Sequence, residues 1–261
     1  MKKTIGFIGL GNMGSRMVEN ILEKNYRVVV YNRTLEQIKK MEKKGAIPAI
    51  TIKELIIKLP APRIIFIMIT AGRPIDEIIK SLVNFLSKDD IIIDGGNSFY
   101  KDSKKRYLQL KKLGINFLDV GVSGGLHGAK NGASLTIGGD KKIFNKIEYL
   151  FKDLSVKNGY LYGGKSGAGH FIKIIHNGIE TALLETYSEG FNILKKSKYN
   201  FNLQEISRVW SNGSIISSQI IKYSESIFRK NGNEIKNFVG KIGGGETGKW
   251  AIEIANKINC E

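Results

Sequence analysis

Cysteine is almost absent: the 261 residues contain one, Cys260, beside the C-terminus. No intrachain disulfide can form, and a reducing compartment, the cytosol, is the simplest home. Long apolar runs are missing too. No stretch approaches the roughly 18 uninterrupted apolar residues of a membrane-spanning helix, so no membrane partner is expected. The start, MKKTIGFIGLGNMG, sets lysines before an apolar run, but Gly9, Gly11 and Asn12 break that run and no small-residue cleavage site follows, which argues against a secretory signal. There is no internal repeat and no low-complexity linker. Neither an aromatic RNA-binding pattern nor paired Cys and His finger spacing occurs, so no nucleic-acid partner is expected.

Positive charge is in excess, with 41 Lys and Arg against 24 Asp and Glu and a formal net charge of +17. The lysines are spread through KKMEKKG, KKRYLQLKK, NILKKSK and FRKNGNEIK, interleaved with acids on amphipathic patterns, and read mostly as solvated faces. A small anionic substrate is the more economical use of such a potential. At 42% hydrophobic and 25% charged residues, the chain can form one large globular domain or two smaller ones.

The apolar patterning resolves the choice. TIGFI (residues 4–8) reads as a buried strand, followed by a glycine-rich turn and a helix from Asn12 to Glu23. VVVYN is a second strand, with a helix from Leu35 to Lys43 after it. RIIFIMI, IIIDGG, INFLDV and SLTIGG continue the strands, alternating with helical stretches such as PIDEIIKSLVNFL. This predicts an α/β Rossmann-type, doubly wound, largely parallel sheet over residues 1–163. Residues 164–261 should form an all-α domain, beginning with a helix of about eight turns for which Ser166 is the expected N-cap.

Gly9, Gly11 and Gly14 form GxGxxG between a strand and a helix, the context in which that pattern signifies dinucleotide binding. The first glycine permits the tight turn, the second lets a pyrophosphate approach, and the third packs helix on strand; Asn12 and Met13 complete the turn. The alternative is a glycine-rich βα turn without a ligand. At the end of the second strand, an NAD site usually has a carboxylate for the ribose hydroxyl, whereas this chain has Asn32, Arg33 and Thr34. Arg33 would attract a 2'-phosphate, favouring NADP over NAD. Otherwise the triplet is a surface turn in which Thr34 caps the next helix.

Asn97, in IDGGNS, is placed to bond a nicotinamide or a substrate hydroxyl, or is a turn residue beside two glycines. Ser123, Gly124 and Gly125 lie in a predicted loop whose bare amides and hydroxyl suit a carboxylate or polyol, unless the glycines are structural. His127 reads as a surface histidine. In GAGHFIKIIHNGIE, Lys173, His176, Asn177 and Glu180 share an arc of about 100° on one helix face. The other faces carry Phe171, Ile172, Ile174, Ile175 and Ile179, so a buried helix is expected. A buried base and acid need partners or a purpose, although a solvated charged stripe is the plainer reading.

In this order, GLGNMG, NRT, IDGGNS, DVGVSGG, GAGHFIKIIHNGIE, WSNGS and GKW resemble the decarboxylating 6-phosphogluconate dehydrogenase family, over residues 1 to about 255. The wider β-hydroxyacid dehydrogenase superfamily shares the first motif and SGG but reads K-x-x-N-N where this chain has Lys173, His176 and Asn177. The resemblance implies NADP-linked oxidation and decarboxylation of 6-phosphogluconate to ribulose 5-phosphate in the pentose phosphate pathway, with no metal and as a homodimer. It makes Lys173 the base and Glu180 the acid. His176 and Asn177 would hold hydroxyls, and Ser123, Gly124 and Gly125 the carboxylate end, with Asn97 at the substrate and cofactor.

The chain departs from the family in having Thr181 where many members have tyrosine, and in stopping at Glu261, short of helices that carry an arginine for the substrate phosphate. Lys249, in GKW, matches a family phosphate-binding position. Ile252, Ile254 and Ile258 would then be left exposed. A 3-hydroxyacid dehydrogenase acting on a smaller substrate and an inactive cofactor-binding remnant stand as the alternative readings.

Overall fold

The computed structural model describes residues 3–233 and 246–258; Cys260 lies outside them. The chain divides into two compact units, one ending at Ile174 and the other starting at Ile175.

The first unit is built by alternation. Its elements run β1 (Thr4–Ile8), α1 (Asn12–Glu23), β2 (Arg27–Tyr31), α2 (Leu35–Glu42), β3 (Ile47–Ala49), α3 (Ile52–Ile57), β4 (Ile64–Ile67), α4 (Arg73–Val83), β5 (Ile91–Asp94) and α5 (Tyr100–Lys112). They continue with β6 (Asn116–Ser123), α6 (Gly125–Asn131), β7 (Ala133–Gly139), α7 (Lys141–Leu154), β8 (Ser155–Gly164) and the start of α8 (Ala168–Lys196). The sheet order is β3-β2-β1-β4-β5-β6-β7-β8, and every neighbouring pair is parallel except β6 with β7. Period-two side-chain placement sends Val28 and Val30 to one face and Val29 to the other, and likewise Ile91 and Ile93 against Ile92. Met17 and Val18 of α1 and Phe144 and Phe151 of α7 seal the first face. Leu55 of α3, Ile75 and Leu82 of α4 and Leu110 of α5 seal the second. This is the doubly wound architecture, and its order reverses between β1 and β4, where such folds open a ligand crevice.

Three details differ from the sequence-based reading. The β6–β7 connection contains the short helix α6, so Ser123 ends a strand and Gly125 starts a helix rather than both lying in a loop. Ser166 does not cap α8. Its hydroxyl reaches the Ser103 carbonyl and Asp119 at 3.4 Å, and the cap comes from Asp119 on β6, whose carboxylate accepts from the amides of Gly167 at 2.6 Å and His170 at 3.0 Å. A carboxylate 48 and 51 positions away can do this because β6 passes under the start of α8. Third, α8 is not buried along the whole predicted stripe region. Ile174 is 1% exposed and Lys173 7%, whereas Ile179 is 59% exposed and Leu183 40%.

Backbone, not side chain, makes the contact between α8 and the sheet. A Cβ on Gly169 would stand 2.4 Å from the Asp119 carbonyl oxygen and 2.5 Å from that of Thr136; one on Gly121 would stand 2.5 Å from the Lys173 Cβ. The Thr136 hydroxyl donates to the Gly169 carbonyl at 2.8 Å. At the opposite end of the sheet, Asp153 of α7 accepts from the Tyr26 hydroxyl at 2.6 Å and pairs with Lys3 at 3.1 Å, while Lys24 donates to its carbonyl. Burial alone would raise the Asp153 pKa. The Tyr26 hydroxyl and the Lys3 and Lys24 charges outweigh it and hold the carboxyl below its ordinary range.

The second unit is helical: the remainder of α8, then α9 (Leu203–Trp210), α10 (Gln219–Asn231) and α11 (Thr247–Lys257). Phe191, Leu203, Ile221 and Phe228 form its core, with Tyr187, Leu194 and Trp210 against them. Asn202 and Ser218 cap α9 and α10 by accepting from the amides of Glu205 and Ile221. Of the three isoleucines expected at the surface of α11, Ile252 and Ile258 are 64% and 66% exposed, but Ile254 is buried at 6%, because helical periodicity turns it inward. Among the described residues no helix is long and apolar enough to cross a membrane.

Gly169→Ala should lower the midpoint of thermal unfolding by roughly 3–10 °C, the cost of overpacking where backbone blocks the added methyl. Calorimetry of the purified variant measures this. Because the folded Asp153 pKa is depressed, its stabilisation is present above the ordinary carboxylate value and lost as pH falls through the folded one. Asp153→Asn should therefore unfold a few degrees below the wild type near neutrality, with the gap closing below about pH 4.

Candidate active site

The glycine turn after β1 takes the shape that a dinucleotide requires. Gly9 has φ +100°, and a Cβ there would meet the Met68 carbonyl oxygen at 2.3 Å; one on Gly14 would meet the Gly9 carbonyl at 2.0 Å. Protein packing thus demands the first and third glycines. Nothing lies within 4 Å of a Cβ on Gly11, so that glycine is not explained by packing, and a ligand approaching the backbone would explain it. α1 starts at Asn12 with no side-chain cap and no acid in its first turn, leaving its amides suited to an anion. Asn12 is exposed, and Met13 packs against the core.

Asn32 does more than line this turn. Its Oδ1 accepts from the Leu10 amide at 3.1 Å and its Nδ2 donates to the Thr34 carbonyl at 3.3 Å, bracing the glycine turn against the end of β2. Arg33 is exposed. Thr34 stands at the N-cap of α2 but makes no side-chain capping bond, so capping does not account for it.

The loop after β5 is held from beneath. Asp94, fully buried, accepts from the Gly96 amide at 3.0 Å and the Ser98 hydroxyl at 2.8 Å, and pairs with Arg106 at 3.1 Å. Arg106, 2% exposed, also bonds Ser98, Asp76 and the Gly72 carbonyl. Each partner in this buried pair is saturated with hydrogen bonds, the condition under which such a pair is tolerated. Asn97 sits at φ +52° with its Oδ1 accepting from the Val122 amide at 2.9 Å and its Nδ2 donating to the Val122 carbonyl at 3.3 Å. One Nδ2 hydrogen stays available, and the clamp places Asn97 beside the end of β6, one residue from Ser123. Gly124 and Gly125, at φ +120° and +57°, are exposed after it. Lys173 belongs to the same unit, lying over Gly121 two residues before Ser123. Asn97, Ser123 and Lys173 are therefore gathered at the end of β6. His127 is exposed on α6.

The remaining stripe residues lie beyond Ile174, in the second unit. The Nδ1 of His176 is 3.2 Å from Asn177 Oδ1 and 3.6 Å from Glu180 Oε2. The side chains of His176 and Glu180 are 45% and 47% exposed, so the expectation of a buried acid is corrected: this face of the helix is open to solvent. Asn177 Nδ2 donates to Thr247 Oγ1 at 3.0 Å, tying α8 to the first residue of α11, two residues before the exposed Lys249. Thr181 donates to the Asn177 carbonyl at 2.9 Å.

Sequence reasoning missed the supporting residues Asp94, Arg106, Asp119 and His170. Two signals existed. Asp94 ends one apolar strand run and Asp119 interrupts another, where an uncompensated carboxylate is costly, and Arg106 interrupts the apolar face of α5.

Comparison with known proteins agrees with this geometry. Residues 4–164 match the family described as the NAD binding domain of 6-phosphogluconate dehydrogenase, and residues 169–260 match the 6-phosphogluconate dehydrogenase C-terminal domain. A Haloferax volcanii protein named NAD(+)-dependent, decarboxylating 6-phosphogluconate dehydrogenase is 33% identical over 96% of this chain and 83% of its own length. The decarboxylating 6-phosphogluconate dehydrogenase of Chlamydia trachomatis is 39% identical over 97% of this chain, which spans 56% of that protein. The Plasmodium falciparum 6-phosphogluconate dehydrogenase, solved in its apo form and with NADP+ or 6-phosphogluconate, superposes with a TM-score of 0.87 at 32% identity over 98% of this chain and 58% of its own. Two domain matches covering nearly the whole sequence, on a fold whose glycine turn and α8 stripe fall where the motifs require, make this chain a member of the 6-phosphogluconate dehydrogenase family.

Proposed function

We propose that this protein oxidises and decarboxylates 6-phosphogluconate to ribulose 5-phosphate and carbon dioxide with NADP as the oxidant. The observation that carries the reading is Lys173: an amine on a residue 7% exposed, set over the strand that ends in Ser123. A general base acts as the neutral amine. The residues at the β1 turn fit a pyridine nucleotide, with Gly11 open, the α1 amides uncapped and Asn32 bracing the turn. When bound, that nucleotide supplies the hydride acceptor.

Lys173 takes the proton of the C3 hydroxyl as C3 gives up its hydride. Carbon dioxide then leaves the resulting β-keto acid, and protonated Lys173 returns its proton to the ketone oxygen. Glu180 protonates C1 of the enediol; being half-exposed, it can regain a proton from solvent between turnovers. His176 and Asn177 hold the reacting hydroxyls. Ser123, Gly124 and Gly125 hold the carboxylate end, with Asn97 contributing its free amide hydrogen. Lys249, on the helix that Asn177 tethers, serves the substrate phosphate. A cytosolic homodimer in the pentose phosphate pathway belongs to the same reading, supported by the family resemblance and the lone cysteine. A smaller 3-hydroxy acid substrate is less well supported, because His176 and Glu180 follow the phosphogluconate pattern.

The choice of NADP rests on Arg33 and the missing carboxylate at the end of β2. The relatives' names divide, the archaeal one citing NAD(+) and the Plasmodium structure NADP+.

Following NADPH absorbance with purified protein and 6-phosphogluconate should show turnover coupled to carbon dioxide release; oxidation of simple 3-hydroxy acids without it would overturn the reading. Lys173→Met should lower turnover by about 10³-fold or more, and Glu180→Gln should also slow it, both leaving NADPH affinity within about twofold by fluorescence titration. Arg33→Ser should raise KM for NADP about 10–100-fold, the loss of a charge-assisted hydrogen bond, with little change for NAD. A wild type that prefers NAD would contradict the cofactor assignment.

A further inference from the structure

We infer that Asp119, with Thr136, positions Lys173, setting the base through the backbone of α8 without touching substrate; this rests on the dehydrogenase reading above. The first turn of a helix has amide donors with no partner inside the helix. Asp119 takes one of them, His170 at 3.0 Å, together with the amide of Gly167 just before the helix at 2.6 Å, and the Ser166 hydroxyl stands 3.4 Å from the same carboxylate. The group is fully buried, and its hydrogen-bond donors are the two amides and the Ser166 hydroxyl at the start of the helix. His170 is held on a second side, its Nδ1 lying 2.7 Å from the Ser103 hydroxyl of α5.

Thr136 acts one step nearer the base. Its hydroxyl donates at 2.8 Å to the Gly169 carbonyl, which by helical geometry is also the acceptor for the amide of Lys173, four residues later. The Lys173 Cβ lies where a Cβ on Gly121 would come within 2.5 Å, and Gly169 meets Gly138 and Thr136 at the same closeness. The turn therefore has no room to slide towards the sheet, and Asp119 and Thr136 stop it from rising away. A displacement of about 1 Å at a catalytic group can cost on the order of 10²-fold in rate.

Asp119→Asn keeps the side chain's shape and one acceptor but turns a donor toward an amide. A purely structural role would reduce the folded fraction and leave each folded molecule unchanged. A positioning role would slow hydride transfer itself. Wild type and variant are to be compared well below the variant's unfolding temperature, with kcat normalised to active sites by NADPH titration and substrate deuterated at C3. The expected result is a kcat at least 10-fold lower, an NADPH dissociation constant within twofold, and a larger deuterium isotope effect on kcat. Should Asp119→Asn not fold, Thr136→Val, which removes one hydrogen bond at constant volume, should show the same pattern at several-fold size. Unchanged kcat and isotope effect per active site in the folded variant would overturn the proposal alone. A wild type without turnover on 6-phosphogluconate would remove the dehydrogenase reading and this inference with it.

Discussion

The backbone of α8 lies in close contact with the sheet beneath it, and much of the candidate site depends on that contact. Gly121 and Gly138 on the strands and Gly169 on the helix leave no space for a side chain between them. At that separation, backbone polar groups must satisfy one another or be satisfied by something small and buried, because no water fits between. Asp119 and Thr136 meet that demand, and so the start of α8 is fixed in both rotation and height. A long aliphatic amine launched from such a turn carries little positional error at its base.

The same economy recurs at the other end of the site. The glycine turn is braced by one amide side chain, Asn32, which bonds backbone on both sides and leaves the α1 amides free for a ligand. The loop after β5 is braced by the Asp94, Ser98 and Arg106 network, and Asn97 then spends most of its hydrogen bonds on Val122. Three segments of the candidate site are thus each held by a polar residue. This arrangement suits electrostatic catalysis, in which groups must be in place before the substrate arrives.

The two halves of the α8 stripe live in different surroundings. Lys173 is buried and His176 and Glu180 are half-exposed. The sequence pattern, equally apolar on both sides of the stripe, could not distinguish them, since Ile174 at 1% exposure and Ile179 at 59% look alike as letters.

Local rules acting over a few residues were readable directly. Alternation of short apolar strand runs with helical stretches predicted the doubly wound sheet, and GxGxxG predicted its turn because φ and close packing at Gly9 and Gly14 are short-range demands. The helical stripe followed from 3.6-residue periodicity. Tertiary structure decided whatever depended on partners distant in sequence. Asp119 rather than Ser166 caps α8, across 48 and 51 positions, and Asn97 turns to Val122, 25 positions away. Ser123 became a strand end, and Ile254 turned inward while its neighbours stayed exposed. A side chain's identity states what it can bond, but only the folded chain brings the partner within three ångströms, and at that distance the choice among possible partners is made.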